Sequence, residues 1–200
     1  MKFYMYLGNK IVIVGSTGSG KTTFAGRLSK LLNIPHVQLD SLFWKPDWRE
    51  STNEEFRAKV EEAVSQDKWI IDGNYARNQD ITTGNADTVI WLDYPLYKIT
   101  YRVIKRSLKR VWTKEPLWHN NRETFRKLFS RDSIVLFAVT SYNKKNARYR
   151  VMINDKSTGI KWIRIRNGRE HREFWEKVNS NIKYQIANNN FQKAKVRNNK

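Results

Sequence analysis

Two hundred residues without a cysteine suit one α/β domain with enough chain to bury a core, and they exclude disulfides, cysteine-ligated zinc and thiol catalysis. No apolar run reaches the roughly eighteen residues of a membrane span, and Met1–Asn9 is too short and polar for a signal peptide, so a cytoplasmic protein is expected. The net charge of +19 is carried entirely by the second half: residues 1–100 hold 12 basic and 12 acidic side chains, the remainder 26 and 7.

The first predicted strand, Ile11-Val12-Ile13-Val14, runs straight into Gly15-Ser16-Thr17-Gly18-Ser19-Gly20-Lys21-Thr22. This fits G-x-x-x-x-G-K-[ST] at every fixed position, and Phe24, Ala25, Leu28, Leu31 and Leu32 follow with helical spacing. A triphosphate needs many donors in a small concave space. The three glycines let backbone N–H groups point inward, and the helix opening at the loop adds its N-terminal amides and dipole. Lys21 can reach the β- and γ-phosphates, and the Thr22 hydroxyl can ligate Mg²⁺. The stretch Gly15 to Thr23 (Gly15, Ser16, Thr17, Gly18, Ser19, Gly20, Lys21, Thr22 and Thr23) is therefore the expected ATP-binding set.

A second strand is predicted over His36–Asp40, with Asp40 at its C-terminal end, where an open parallel sheet places its ligands. Asp40 is a candidate general base or acceptor-orienting group; a helix cap is the alternative. An aromatic loop, Ser41 to Trp48, follows, in which Trp44 and Trp48 could stack on a base or simply cover a loop. Thr52 and Glu55 have capping-box spacing, and Phe56, Val60, Ala63 and Val64 mark the next helix.

Trp69–Asp72 reads as the third strand and Thr88–Leu92 as the fourth, ending at Asp93. Asp72 has the position of the acid that holds Mg²⁺ beside a phosphate loop, or it caps the turn before Gly73. Asp93 reads as structural. Apolar strands ending in aspartate and separated by helices indicate a parallel sheet covered on both faces.

Leu96 to Val111 has the spacing of a helix, with Leu96, Ile99, Val103, Ser107 and Val111 on one side and Lys98, Arg102, Lys105 and Lys109 opposite. Arg102 and Arg106 lie one turn apart and could stabilise a transferring phosphoryl group, or belong to a solvated basic face. Residues 113–131 read as irregular. Asp132 or Ser133 could cap a helix through Tyr149, although Ile134–Val139 is apolar enough for a strand. Ile160–Ile165 is the fifth strand and Glu170–Ile182 the closing helix, with a disordered tail expected over 188–200.

These segments resemble the bacterial DNA topology modulation protein group of adenylate-kinase-like P-loop proteins. The resemblance rests on the phosphate loop, Leu39 to Trp48, Trp69 to Tyr75 and Ala86 to Pro95. It implies a three-layer fold with a five-stranded parallel sheet, a substrate-binding insert near 41–66 and a short LID near 111–131, all within one domain over 1–187. Asp72-Gly73 is similar to the Asp-Gly pair closing the corresponding adenylate kinase strand, and Arg102 and Arg106 to the arginine pair that opens its LID. Arg148 and Arg150 align loosely with later arginines. The pattern Asp-Gly-Phe-Pro-Arg of adenylate kinases is here Asp-Gly-Asn-Tyr-Ala-Arg, with Arg77 one place later.

The expected activity is Mg²⁺–ATP-dependent phosphoryl transfer to a nucleotide or small molecule. Lys21 and the loop amides would hold the phosphates, Thr22 and Asp72 the metal, Asp40 the acceptor, and Arg102 and Arg106 the transferring group. Two alternatives stay open. One is a nucleotide-regulated DNA-binding protein, motivated by the basic second half; the other is an ATPase switch with water as acceptor.

Overall fold

The computed structural model describes residues 5–128, 130 and 133–198. Its strands, β1 (Lys10–Gly15), β2 (His36–Gln38), β3 (Trp69–Asp72), β4 (Thr88–Leu92) and β5 (Lys161–Ile165), form one parallel sheet of order β2-β3-β1-β4-β5. The register pairs Ile13 with Asp72 and with Ile90, so the ends of β3 and β4 flank the point where β1 becomes the phosphate loop.

The central strands are buried on both faces, which explains their unbroken apolar runs. Alternation sends Val12, Val14, Ile71, Val89 and Trp91 into one cluster with Phe43, Phe56, Val60 and Tyr149. Their neighbours Ile11, Ile13, Ile70 and Ile90 turn to the other face and are equally buried.

Helix α1 (Lys21–Leu32) buries Phe24, Ala25 and Leu28 and ends at Asn33 in the left-handed region. The second strand is shorter than expected. It stops at Gln38, and Leu39–Phe43 forms a short helix, α2, that buries Leu39 and Phe43. Asp40 therefore sits in a helical first turn, where an acidic side chain is favoured, rather than at a strand end. Helix α3 (Asn53–Val64) carries the expected capping box: Glu55 N–H donates to Thr52 Oγ1 while Glu55 Oε2 accepts from Thr52 N–H. Helix α4 (Gln79–Gly84) has too few apolar positions to be read from the sequence.

Helix α5 (Leu96–Thr113) buries the expected Ile99, Val103, Ser107 and Val111. Beyond it come a 3-10 turn at Trp118–Asn120 and a short helix, α6 (Phe125–Leu128). The segment 134–139 is helical, not extended. Helix α7 (Ile134–Thr140) is capped by the Ser133 hydroxyl, which accepts from Leu136 N–H, and α8 (Tyr142–Asn154) follows directly. Arg131 and Asp132 lie outside the described residues.

Residues 8–165 make one compact unit; residues 1–7 and 166–200 make another. In the second unit helix α9 runs Gly168–Asn198, well past Ile182, through the segment expected to be a disordered tail. No glycine or proline follows Gly168 to break it. Asn167 and Glu170 cap its start, and Asn181 Nδ2 donates to Met5 O at 2.9 Å.

Candidate active site

The phosphate loop is shaped by glycine. Gly18 has φ +86°, and a Cβ there would lie 2.4 Å from Val103 Cγ2 and 2.9 Å from Ile99 O, so α5 packs directly on the loop. Gly20, at φ +92°, caps α1 in the left-handed region and faces open space. Ser19 N–H closes the turn on Ser16 O at 3.0 Å, and the Ser16 and Ser19 hydroxyls are buried with no partner among the described residues. Thr22 and Thr23 are exposed in the first turn of α1.

Lys21 folds back over the loop, donating to Gly15 O at 2.9 Å and Ser16 O at 3.2 Å. Burial pulls its ammonium below the usual lysine range; Asp72 and Asp40 oppose that pull, and Arg106 adds to it. Two of the strand-three-side aspartates thus act on the loop lysine, although 32 residues separate them in sequence.

Asp72 ends β3 almost fully buried. Among the described residues its Oδ2 has no hydrogen-bond donor, and His36 Nε2 lies 3.7 Å away, beyond hydrogen-bonding reach. A buried carboxylate oxygen without a donor, on a strand whose charge is felt by the loop lysine, is a hard-oxygen ligand of the kind that fits Mg²⁺. Among the described residues no group of three or more His, Cys, Asp or Glu side chains forms a metal cluster.

Asp40 Oδ1 accepts from Tyr75 OH at 2.6 Å. Burial, then the charge of Asp40 and this bond, drive the Tyr75 phenol far above its normal range, so it stays a donor. Asp93 behaves differently: Arg164 donates to its Oδ2 from Nε at 2.8 Å and Nη2 at 2.5 Å, which ties the end of β4 to β5. It is structural.

Arg102 Nη1 donates to Ser19 O at 3.3 Å, with its guanidinium 4.9 Å from the centroid of the Tyr94 ring. Arg106 is largely buried, and its Nε has no hydrogen-bond partner among the described residues. Burial and then the neighbouring Arg110 lower its pKa, opposed by Glu123 and Asp40. Lys21 is therefore within electrostatic reach of Asp40, Asp72 and Arg106, Arg106 is also within reach of Asp40, and Arg102 touches the loop itself.

Trp44 and Trp48 pack edge-on against each other, with centroids 5.4 Å apart. Trp48 N–H donates to Asn121 Oδ1 at 2.9 Å, and its indole to Arg122 O at 3.2 Å. Asn121 Nδ2 returns a bond to Lys45 O, and a His119 ring nitrogen meets Ser41 O at 3.1 Å. The tryptophans thus tie the loop after α2 to residues 117–122. Arg77 turns to the Asn53 side chain and lies over the Phe43 ring.

Three contributors escaped the sequence reading. Asn74 bridges the phosphate loop, its Nδ2 donating to Gly15 O and its Oδ1 accepting from Gly15 N–H. The same Oδ1 accepts from Tyr149 OH at 2.8 Å, which links α8 to the loop. Lys145, one turn before Tyr149 on α8, has its pKa lowered to about 8 by burial first, then by Lys21 and Arg148, with Asp40 opposing. Only Asn74 carried any local sequence signal, as the departure from the adenylate kinase pattern. Lys145 and Tyr149 are brought in by tertiary structure alone.

No match was found among curated proteins. Among solved structures, a shikimate kinase from Acinetobacter baumannii in complex with shikimate superposes with a TM-score of 0.54 at 13% identity, over 90% of this chain and 94% of that one. A gluconokinase from Sinorhizobium meliloti 1021 gives 0.50 at 12% identity, over 94% and 99%. At such identities the likeness speaks for the fold. The sequence itself matches the family described as AAA domain over residues 11–127, more than half of the chain, and the phosphate loop with its flanking strand and helix lies inside that match. The chain belongs to the AAA domain family of P-loop, nucleotide-binding proteins.

Proposed function

We propose that this chain is a Mg²⁺–ATP-dependent phosphotransferase acting on a hydroxyl or phosphate acceptor of a nucleotide or small molecule. The observation that carries this reading is Asp40: a carboxylate held by Tyr75 OH at 2.6 Å, within electrostatic reach of Lys21, Arg106 and Lys145. A protein that only binds nucleotide has no use for a second carboxylate beside the phosphate-binding lysine.

In this account the loop amides and Lys21 hold the triphosphate, and Thr22 and Asp72 would hold Mg²⁺. The bound ion supplies charge neutralisation at the phosphate oxygens. Asp40 orients the acceptor hydroxyl and takes its proton as the new P–O bond forms and the bond from the γ-phosphorus to its bridging oxygen breaks. Arg102, Arg106 and Lys145 offset the negative charge spread over the equatorial oxygens. Residues 41–66 serve as the acceptor-binding insert and 111–131 as the LID, a division supported by the bonds that join Trp48 and Lys45 to Asn121. The likeness of the segment Leu39 to Trp48 to the DNA topology modulation group supports reading the chain as similar to that group.

The test is transfer of a labelled γ-phosphate from Mg²⁺–ATP to a panel of nucleoside monophosphates, nucleosides and small hydroxyl compounds. Gluconate and shikimate belong in the panel because the two solved neighbours are a gluconokinase and a shikimate kinase. The expected result is a labelled product that Lys21→Ala fails to make. Release of free phosphate alone, whatever the acceptor, would replace the kinase reading with the ATPase switch.

A further inference from the structure

Helix α5 carries a second apolar stripe that folding leaves uncovered. Its inner side is consumed by the core and the phosphate loop. On its outer side Tyr97, Tyr101, Ile104, Leu108 and Trp112 are 76%, 64%, 40%, 44% and 84% exposed. Their spacing of four, three, four and four residues sets them on one line along the helix, about 22 Å long. Lys105 and Lys109 are exposed beside that line, and Lys98 lies next to it with its ammonium 5.0 Å from the centroid of the Tyr94 ring. The helix contains no acidic residue.

A patch of this kind on a soluble surface marks a binding face, and its charge decides what it binds. A second copy of the chain is disfavoured, because it would bring the same lysine row and another +19 against the first. The occupant must be anionic along its edge and apolar at its centre. Three of the five stripe residues are Tyr or Trp, side chains that settle where water meets hydrocarbon. The lysines beside them can lie along apolar surface and place their ammonium groups among anionic headgroups. A single convex helix also needs no complementary groove when the partner is fluid.

We propose that the outer face of α5 docks the protein peripherally on an anionic lipid surface, with Tyr97, Tyr101, Ile104, Leu108 and Trp112 entering the headgroup boundary and Lys105 and Lys109 pairing with lipid charge. This is adsorption in the plane of the interface and not a span; no helix of the described residues is long and apolar enough to cross a membrane. The proposal stands apart from the phosphotransferase reading, since it uses the opposite face of α5.

The test is co-sedimentation of the full chain with vesicles of phosphatidylcholine alone, or with about a third phosphatidylglycerol. It compares the wild type with the double variant Tyr101→Ser/Trp112→Ser, whose fold is checked by its circular dichroism and melting curve. The expected result is pelleting with the anionic vesicles only, weakened at least tenfold in the variant. Three results would overturn it. The wild type could fail to pellet even at low salt. The folded variant could pellet as well as the wild type, leaving only general basic charge. Sedimentation velocity could reveal a wild-type dimer that the substitutions dissociate, making the stripe a self-interface.

Discussion

The phenol of Tyr75 donates to Asp40 Oδ1 at 2.6 Å, so the carboxylate assigned to the acceptor is fixed by a residue 35 positions away, in the turn after β3. This bond holds one oxygen; in the proposed phosphotransfer the other would meet the acceptor. Tyr75→Phe should therefore lower kcat by about tenfold with little change in KM for ATP, because Asp40 loses its orientation and not its charge. Asp40→Asn should lower kcat by roughly a hundredfold or more, again with ATP binding retained. Steady-state kinetics on both variants checks the split; a rise in KM for ATP in either would place Asp40 in nucleotide binding instead.

The two loop glycines make different predictions from the same left-handed geometry. Gly18→Ala meets both a strained φ and the Val103 and Ile99 atoms of α5, and should cost about 3 kcal/mol and most nucleotide affinity. Gly20→Ala has the strain without the clash and should cost only about 1–2 kcal/mol. Urea titration of the two variants measures the difference directly.

Lys145 gives a pH signature. In the folded protein its ammonium loses its proton near pH 8, whereas in the unfolded chain it keeps it up to the ordinary lysine range. Between those values the unfolded chain binds more protons, so this group makes stability rise with pH there; below pH 8 the buried charge is a burden that remains in full. Lys145→Met should then melt higher than the wild type at pH 7 while transferring phosphate more slowly. Arrival of an anionic triphosphate should restore the proton. Calorimetry at pH 8 in two buffers of different ionisation heat should register an uptake of up to about half a proton that Lys145→Met lacks. Equal uptake in both proteins would remove Lys145 from the site.

Asp93 supplies the contrast to Asp40 and Asp72. Its carboxylate is nearly buried against Arg164, whose side chain is one-third exposed. Asp93→Asn should cost about 2 kcal/mol of stability, between the values for exposed and fully buried pairs, and leave kcat unchanged. Denaturant unfolding alongside the transfer assay separates this aspartate from Asp40 and Asp72.

The legible parts of this fold were those written in local pattern. The apolar runs of β1, β3 and β4, the phosphate loop, the Thr52–Glu55 box and the buried row of α5 each declare themselves within a few residues. Asp40 lies in a short helix and not at a strand end, because Leu39 and Phe43 are spaced equally well for a helix. The Asn- and Lys-rich composition after Ala187 predicts disorder, but with no glycine or proline after Gly168 to break it, α9 runs on to Asn198. Lys145 and Tyr149 are illegible for a different reason. Both lie on α8, and no sequence spacing relates that helix to the phosphate loop. The outer stripe of α5 was in plain view at Tyr97, Tyr101, Ile104, Leu108 and Trp112, hidden only because the lysines beside it dominated the reading of that face.

The measurement that bears most directly on the whole account is acceptor-dependent consumption of Mg²⁺–ATP, followed for wild type, Lys21→Ala and Asp40→Asn with the acceptor that the panel identifies. The wild type should consume ATP in step with phosphorylated product. Lys21→Ala should neither bind nor transfer, and Asp40→Asn should bind ATP normally while transfer collapses. Full transfer by Asp40→Asn, or ATP consumption that no acceptor accelerates, would contradict it.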